Sequence, residues 1–184
     1  MASVEGWSLA LSSMEGSRSE VDLAGLVETY SSLLFRVVHS VVRNQAEAED
    51  VVQDAFVRVL EHRRSLPEVR EMRVWLVRIA WNLALDRRRR IRPEQFDDGF
   101  AEGLVAKDLP VDEALEEARR MRSVLREMER LPRAERHVLL LSAVEELGTA
   151  EMAEVLGRSE SAVRALLFRA RTRLRERLEE GEKR

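Results

Sequence analysis

The sequence contains no cysteine. That excludes disulfides, Cys-ligated zinc, iron–sulfur clusters and thiol nucleophiles, and it fits a reducing compartment. Aromatics make up only 5% of the residues, with just four prolines and eight glycines. Such a chain suits small cores between helices better than a large sandwich or barrel. No run of 18 apolar residues exists to cross a membrane, which argues against direct membrane insertion. The N-terminus lacks the basic-then-apolar order of a signal peptide, so a cytoplasmic location is expected. Excess positive charge is missing too: 31 Lys+Arg stand against 34 Asp+Glu, a formal charge of -3. Taken whole, that total speaks against nucleic-acid binding.

What is present is unevenly spread. Net charge is -2 over residues 1–20, +3 over 21–92, -5 over 93–130 and +1 over 131–184. Arg87, Arg88, Arg89, Arg90 and Arg92 close the first basic stretch, and Arg164, Arg169, Arg171, Arg173, Arg175 and Arg177 line the last. Each cluster can attract phosphate. Arginines at a helix end also complement its dipole, so neither cluster alone decides the matter.

Apolar spacing sets the organisation. Leu23, Leu26, Val27, Tyr30, Leu33, Leu34, Val37, Val38 and Val41 recur at three- and four-residue steps. This predicts an amphipathic helix over 21–43, broken near Ser31 and Ser32. Ala48, Val51, Val52, Ala55, Phe56, Val59 and Leu60 give a second helix over 46–62. Pro67 marks a loop or short turn over 65–71, and Trp75, Leu76, Ile79, Ala80 and Leu83 give a third helix over 72–90. Residues 93–112 contain Pro93, Gly99, Gly103 and Pro110 without a steady period. They read as a flexible acidic linker able to extend up to about 70 Å. Beyond it, helices are expected over 111–131, 133–144, 149–156 and 159–179. The fold class is all-α: two small helical domains, 21–92 and 113–184, joined by the linker 93–112 behind a flexible N-terminal extension, 1–20.

The second domain carries a helix-turn-helix signal. Thr149 and Ser159 are suitable N-caps ten residues apart, bracketing a two-turn helix and a tight turn. Ala153 is small where two helices must cross, Gly157 sits where the turn needs φ > 0, and Val163 anchors the second helix. Ser161, Arg164, Ala165, Phe168 and Arg169 lie near the other face or its edges. A helix so placed can enter the major groove, with Ser159, Glu160, Ser161 and Arg164 near its N-terminus. The same spacing would also serve an ordinary helical hairpin stabilised by Arg–Glu pairs.

In the first domain, Glu47, Asp50, Gln53 and Asp54 share one helical surface, opposite Val52, Phe56 and Val59. Asn82 and Asp86 form a polar i,i+4 pair inside an otherwise apolar helix that runs straight into the arginine cluster. The pair can cap or bond another side chain, or it can face a base.

With these stretches in view, the chain resembles the extracytoplasmic-function (group 4) sigma factors of bacterial RNA polymerase. EAEDVVQDAFVRVL is similar to the family's region 2.2, WLVRIAWNLALDRRRR to regions 2.3–2.4, and AEMAEVLGRSESAVRALLFRARTRLRE to region 4. The resemblance covers about 22–92 and 113–178. It implies that Asp50, Gln53, Asp54 and Arg58 meet the clamp of the polymerase largest subunit. It implies -10 contacts by Arg73, Arg78, Asn82, Arg87 and Arg89, and -35 contacts by Ser159, Glu160, Ser161, Arg164, Arg169 and Arg171. The implied partners are core RNA polymerase at its clamp and flap, promoter DNA, and an anti-sigma factor; no cofactor is implied. Two positions depart from the family pattern. Thr149-Ala150 stands where a hydrophobic or aromatic residue is usual, and Trp81 where a charged or small polar residue is common.

The competing classes are a stand-alone helix-turn-helix regulator, an enzyme and a protein-binding adaptor. A regulator would need a ligand pocket or dimer surface in 21–92. His39, His62 and His137 lie far apart with no Asp/Glu set at metal-ligand spacing, so nothing organises a catalytic centre. An adaptor would have no need of the 159–173 groove helix.

Overall fold

The computed structural model describes residues 22–90, 111–145 and 147–182. The expected extension 1–20 and the linker as far as residue 110 lie outside the described residues. Among the described residues there is no β-strand.

Helix α1 spans Leu23–Val42, and the Asp22 carboxylate caps it by accepting the Gly25 N–H at 2.8 Å. The break expected at Ser31 and Ser32 does not occur. The Ser31 hydroxyl donates to the Val27 carbonyl, so the polar group is satisfied within the helix and does not interrupt it. Helix α2, Gln45–Glu61, begins at Asn44, whose side chain accepts the Glu47 N–H at 3.0 Å. A 3-10 turn over Arg63–Glu68 occupies part of the expected loop and leads to α3, Met72–Arg90. Helices α1, α2 and α3 pack on one another.

The second half comprises α4 (Val111–Glu129), α5 (Arg133–Glu145), α6 (Thr149–Leu156) and α7 (Glu160–Glu182). Helix α7 packs on α4, α5 and α6. The sequence predicts two domains on a flexible linker, but the halves are in contact. Helix α5 crosses α1, α6 lies on α3, and buried residues of both halves form one hydrophobic cluster.

Trp81 explains much of this. On α3 it is 1% exposed, with its ring edge-on to that of His137 on α5, centroids 5.2 Å apart at 89°. Beside it, Glu129 at the end of α4 accepts from Arg43 at 2.6 Å and from Arg88 of α3 at 3.1 Å. Arg88 also donates to the Val41 carbonyl at 2.6 Å. Arg43 closes α1 in the left-handed region, φ 56°, the only non-glycine with positive φ among the described residues. A third contact links Arg73 of α3 to Glu151 of α6 at 3.5 Å.

Burial, followed by the charges of Arg133, Arg136, Arg88 and Arg158, pushes the His137 pKa down to about 4. Those arginines come from α5 itself, from α3 and from the turn after α6. In an opened chain the ring returns toward its ordinary value near ~6.5. The open form therefore takes up the proton first, so closure is fully supported above about pH 6.5 and weakens as pH falls toward 4. Small-angle scattering between pH 7.5 and 4.5, at fixed ionic strength, is expected to show the radius of gyration rising on acidification. His137→Gln is expected to flatten that rise.

Candidate nucleic-acid interface

Helices α6 and α7 form the helix-turn-helix. Gly157 ends α6 at φ 61°, with its N–H on the Glu154 carbonyl at 3.3 Å and the Arg158 N–H on the Ala153 carbonyl at 2.9 Å. This is the Schellman arrangement, and a side chain at 157 would be strained in it. Ser159 caps α7 as expected, accepting the Ala162 N–H at 3.3 Å. Thr149 is not the cap of α6. Gly148 occupies that position in extended conformation, and its N–H donates to the Glu151 carboxylate at 2.7 Å. The Thr149 hydroxyl instead donates to Glu160 at 2.7 Å, tying the starts of the two helices together.

Val163, Leu166, Leu167 and Ala170 are buried, which fixes the rotation of α7. Ser161, Arg164, Phe168, Arg171 and Arg175 then recur at three- and four-residue steps along the exposed face. Phe168 is 73% exposed, an apolar surface suited to a thymine methyl. Ser159 is exposed at the start of this face, while Glu160 holds Arg164 at 2.6 Å. Arg169 does not join the face. It turns toward Glu135 of α5, which is 5% exposed and takes Arg173 at 2.6 Å and Arg169 at 4.0 Å. The buried carboxylate hydrogen-bonds Arg173, whereas Arg169 stays exposed on the flank between that pair and the groove side.

On α3 the five -10 candidates separate. Arg78, Asn82 and Arg89 are exposed at steps of four and seven residues, hence on one face. Arg89 shares a 3.2 Å contact with Asp86. Arg87 lies elsewhere: it bonds Glu47, and Asp50 at 3.0 Å, and so braces α3 against α2. Arg73 faces α6 through Glu151. On α2, Asp50, Gln53, Asp54 and Arg58 are all exposed, and Val57 is exposed among them. Val57 was missed in the sequence reading. Its signal is an apolar residue out of phase with the buried Val52, Phe56 and Val59. Leu60, expected in the buried stripe, is exposed as well, and two solvent-facing aliphatic side chains next to Gln53, Asp54 and Glu61 suit a protein partner better than DNA. Among the described residues no group of His, Cys, Asp and Glu could hold a metal ion, and no helix is long and apolar enough to cross a membrane.

Two family models match the chain, Sigma-70 region 2 over residues 26–94 and Sigma-70, region 4 over residues 121–174. In that order, on this fold, they define a sigma-70-type factor. The chain is 28% identical over 164 residues to the ECF RNA polymerase sigma factor SigW of Bacillus subtilis, spanning 84% of this chain and 88% of SigW. It is 31% identical over 172 residues to the RNA polymerase sigma factor CnrH of Cupriavidus metallidurans, spanning 89% and 90%. It spans between 39% and 59% of several longer relatives. The structure of CnrH in complex with the cytosolic domain of CnrY matches with a TM-score of 0.61 at 28% identity, over 85% of this chain and 87% of that one. The chain belongs to the extracytoplasmic-function sigma factors of the sigma-70 family.

Proposed function

We propose that this sigma factor docks on core RNA polymerase through the α2 face of Asp50, Gln53, Asp54, Val57 and Arg58. It reads a -10 element with Arg78, Asn82 and Arg89, and a -35 element with Ser159, Ser161, Arg164, Phe168 and Arg171. Residues 21–92 and 113–184 are then its working halves. The reading makes it a cytoplasmic initiation factor, nucleoid-associated when bound to polymerase, with no catalytic step of its own. An anti-sigma partner follows from the family resemblance. Unstacking a base at the -10 element costs a few kcal/mol, offset by phosphate contacts and by the polymerase.

The observation that carries this reading is the separation of three exposed faces, the acidic and aliphatic one on α2 suited to a protein and the arginine-bearing ones on α3 and α7 suited to DNA. The two promoter elements are about 25 base pairs apart, roughly 85 Å of duplex at about 3.4 Å per base pair. In the closed chain, Arg73 of α3 is 3.5 Å from Glu151 of the helix-turn-helix. The halves must part before both elements can be held.

In-vitro transcription with core polymerase and a genomic fragment library tests the reading. Promoter-specific transcripts dependent on the factor are expected; none with an active core enzyme would sink it. Arg164→Ala is expected to weaken duplex recognition by about 1–3 kcal/mol and relax one or two upstream positions. Binding to core polymerase should be unchanged, as read by fluorescence anisotropy.

A further inference from the structure

Where the halves meet they leave a cleft of about 440 Å³, lined on the α3 side by Trp81, Asn82 and Arg89 and on the other by Arg133, His137 and Arg158. A second, smaller cavity of about 160 Å³ shares Arg89, Arg133 and His137 with it and is lined also by Arg88 and Arg136. Arg133 and Arg158 have no carboxylate partner among the described residues, and Arg89 has only the exposed Asp86. Closing the chain therefore gathers like charges from both halves around one space. The His137 pKa, depressed first by burial, is lowered further by Arg133, Arg136, Arg88 and Arg158 around the same space. Glu129 holds Arg88, whereas Arg133 and Arg158 face the space without a carboxylate, so the cleft attracts an anion.

Its other features narrow the class of anion. The volume lies within the usual range for small-molecule sites, about 300–1,000 Å³. Leu85 and Leu156, both partly exposed, give an apolar wall, and Asn82 supplies an amide able to pair with a base edge. Inorganic phosphate would use the arginines and leave the wall empty.

We propose that this cleft binds a nucleoside polyphosphate, with its phosphates on Arg89, Arg133 and Arg158 and its base against the Leu85 and Leu156 wall. The bound ligand holds the two halves together, because a ligand bound only by the closed form shifts the equilibrium toward it. Resting on the reading that the halves part for transcription, the site is inhibitory. It also engages Asn82 and Arg89, which then cannot serve a promoter.

The absence of cysteine makes the test direct. Glu61→Cys and Glu176→Cys, both at exposed positions on opposite halves, carry a donor and an acceptor dye on the full chain. Titration with ATP at constant ionic strength is expected to raise energy transfer, at least tenfold more tightly than pyrophosphate. The Arg133→Gln/Arg158→Gln chain is expected to lose at least tenfold in apparent affinity, whereas Arg119→Gln, exposed on α4 outside the cleft, responds like the parent. ATP is also expected to raise the pKa of the His137 ring, read by proton NMR. A 12-nucleotide single strand is expected to lower transfer. No change with millimolar ATP, an equal response in both arginine variants, or a rise with the oligonucleotide matching that with ATP would overturn the proposal. Equal affinity for pyrophosphate would remove the nucleoside from it. None of these readings involves polymerase, so they stand or fall apart from the transcription assay.

Discussion

Replacing Trp81 with alanine is expected to part the two halves while leaving each half helical. The ring is 1% exposed, and burial on that side comes from α5 and α6. Truncating a buried tryptophan costs about 3–5 kcal/mol. The polar links across the interface do not replace it. Arg73 and Glu151 are 3.5 Å apart and substantially exposed, and such pairs contribute about 0–1 kcal/mol. The Glu129 cluster is better covered, but it joins the ends of α1, α3 and α4 and does not touch the Trp81 ring's place against α5 and α6. Loss of the ring therefore removes a large share of what favours closure. The radius of gyration should rise while far-ultraviolet circular dichroism is retained. Apparent affinity for core polymerase should rise as well, since a chain that must open first binds in proportion to its open fraction. Collapse of helicity together with compactness would instead place Trp81 in the core of the first half alone.

Charge reversal at Asp54 is expected to have the largest effect on activity, a loss of about 100-fold in core binding and in transcription. Like charges brought together at an interface cost several kcal/mol, and about 2.7 kcal/mol already corresponds to that factor. Asp54 is exposed and has no side-chain partner among the described residues, so Asp54→Arg leaves the fold untouched. Asp50→Ala would be harder to read. Asp50 also holds Arg87, and the variant would loosen the brace between α2 and α3. Glu28→Arg, an exposed reversal on α1, controls for net charge. Core binding, run-off transcription and helical content measured on the same preparations decide the matter; full transcription from Asp54→Arg would remove α2 from the polymerase interface.

The helices were legible because a period of three to four residues records which side of each turns inward. The apolar stripes of α2 and α3 locate their boundaries within a residue or two. The turn at Gly157 and the cap at Ser159 were legible for a local reason, since both depend on backbone geometry over a few residues. What the sequence concealed is decided by distant neighbours. Nothing around Arg173 announces that Glu135, far upstream, will hold it, and Arg87 meets Glu47 and Asp50 only once α2 and α3 have packed. Trp81 is the instructive case. Its departure from the family pattern was visible in the sequence, but its cause was not, because the surface that covers it belongs to the other half of the chain.

Arg43 carries a further consequence. A left-handed backbone costs a non-glycine residue about 1–2 kcal/mol. Here that conformation ends α1 and places the guanidinium, 8% exposed, on Glu129. Local preference and long-range contact thus pull in opposite directions at one residue, a small island of frustration in an otherwise consistent fold. The contact is satisfied only while the chain is shut. Once Glu129 leaves, that ion pair no longer offsets the strained helix end, and Arg43 is a residue that favours shutting again.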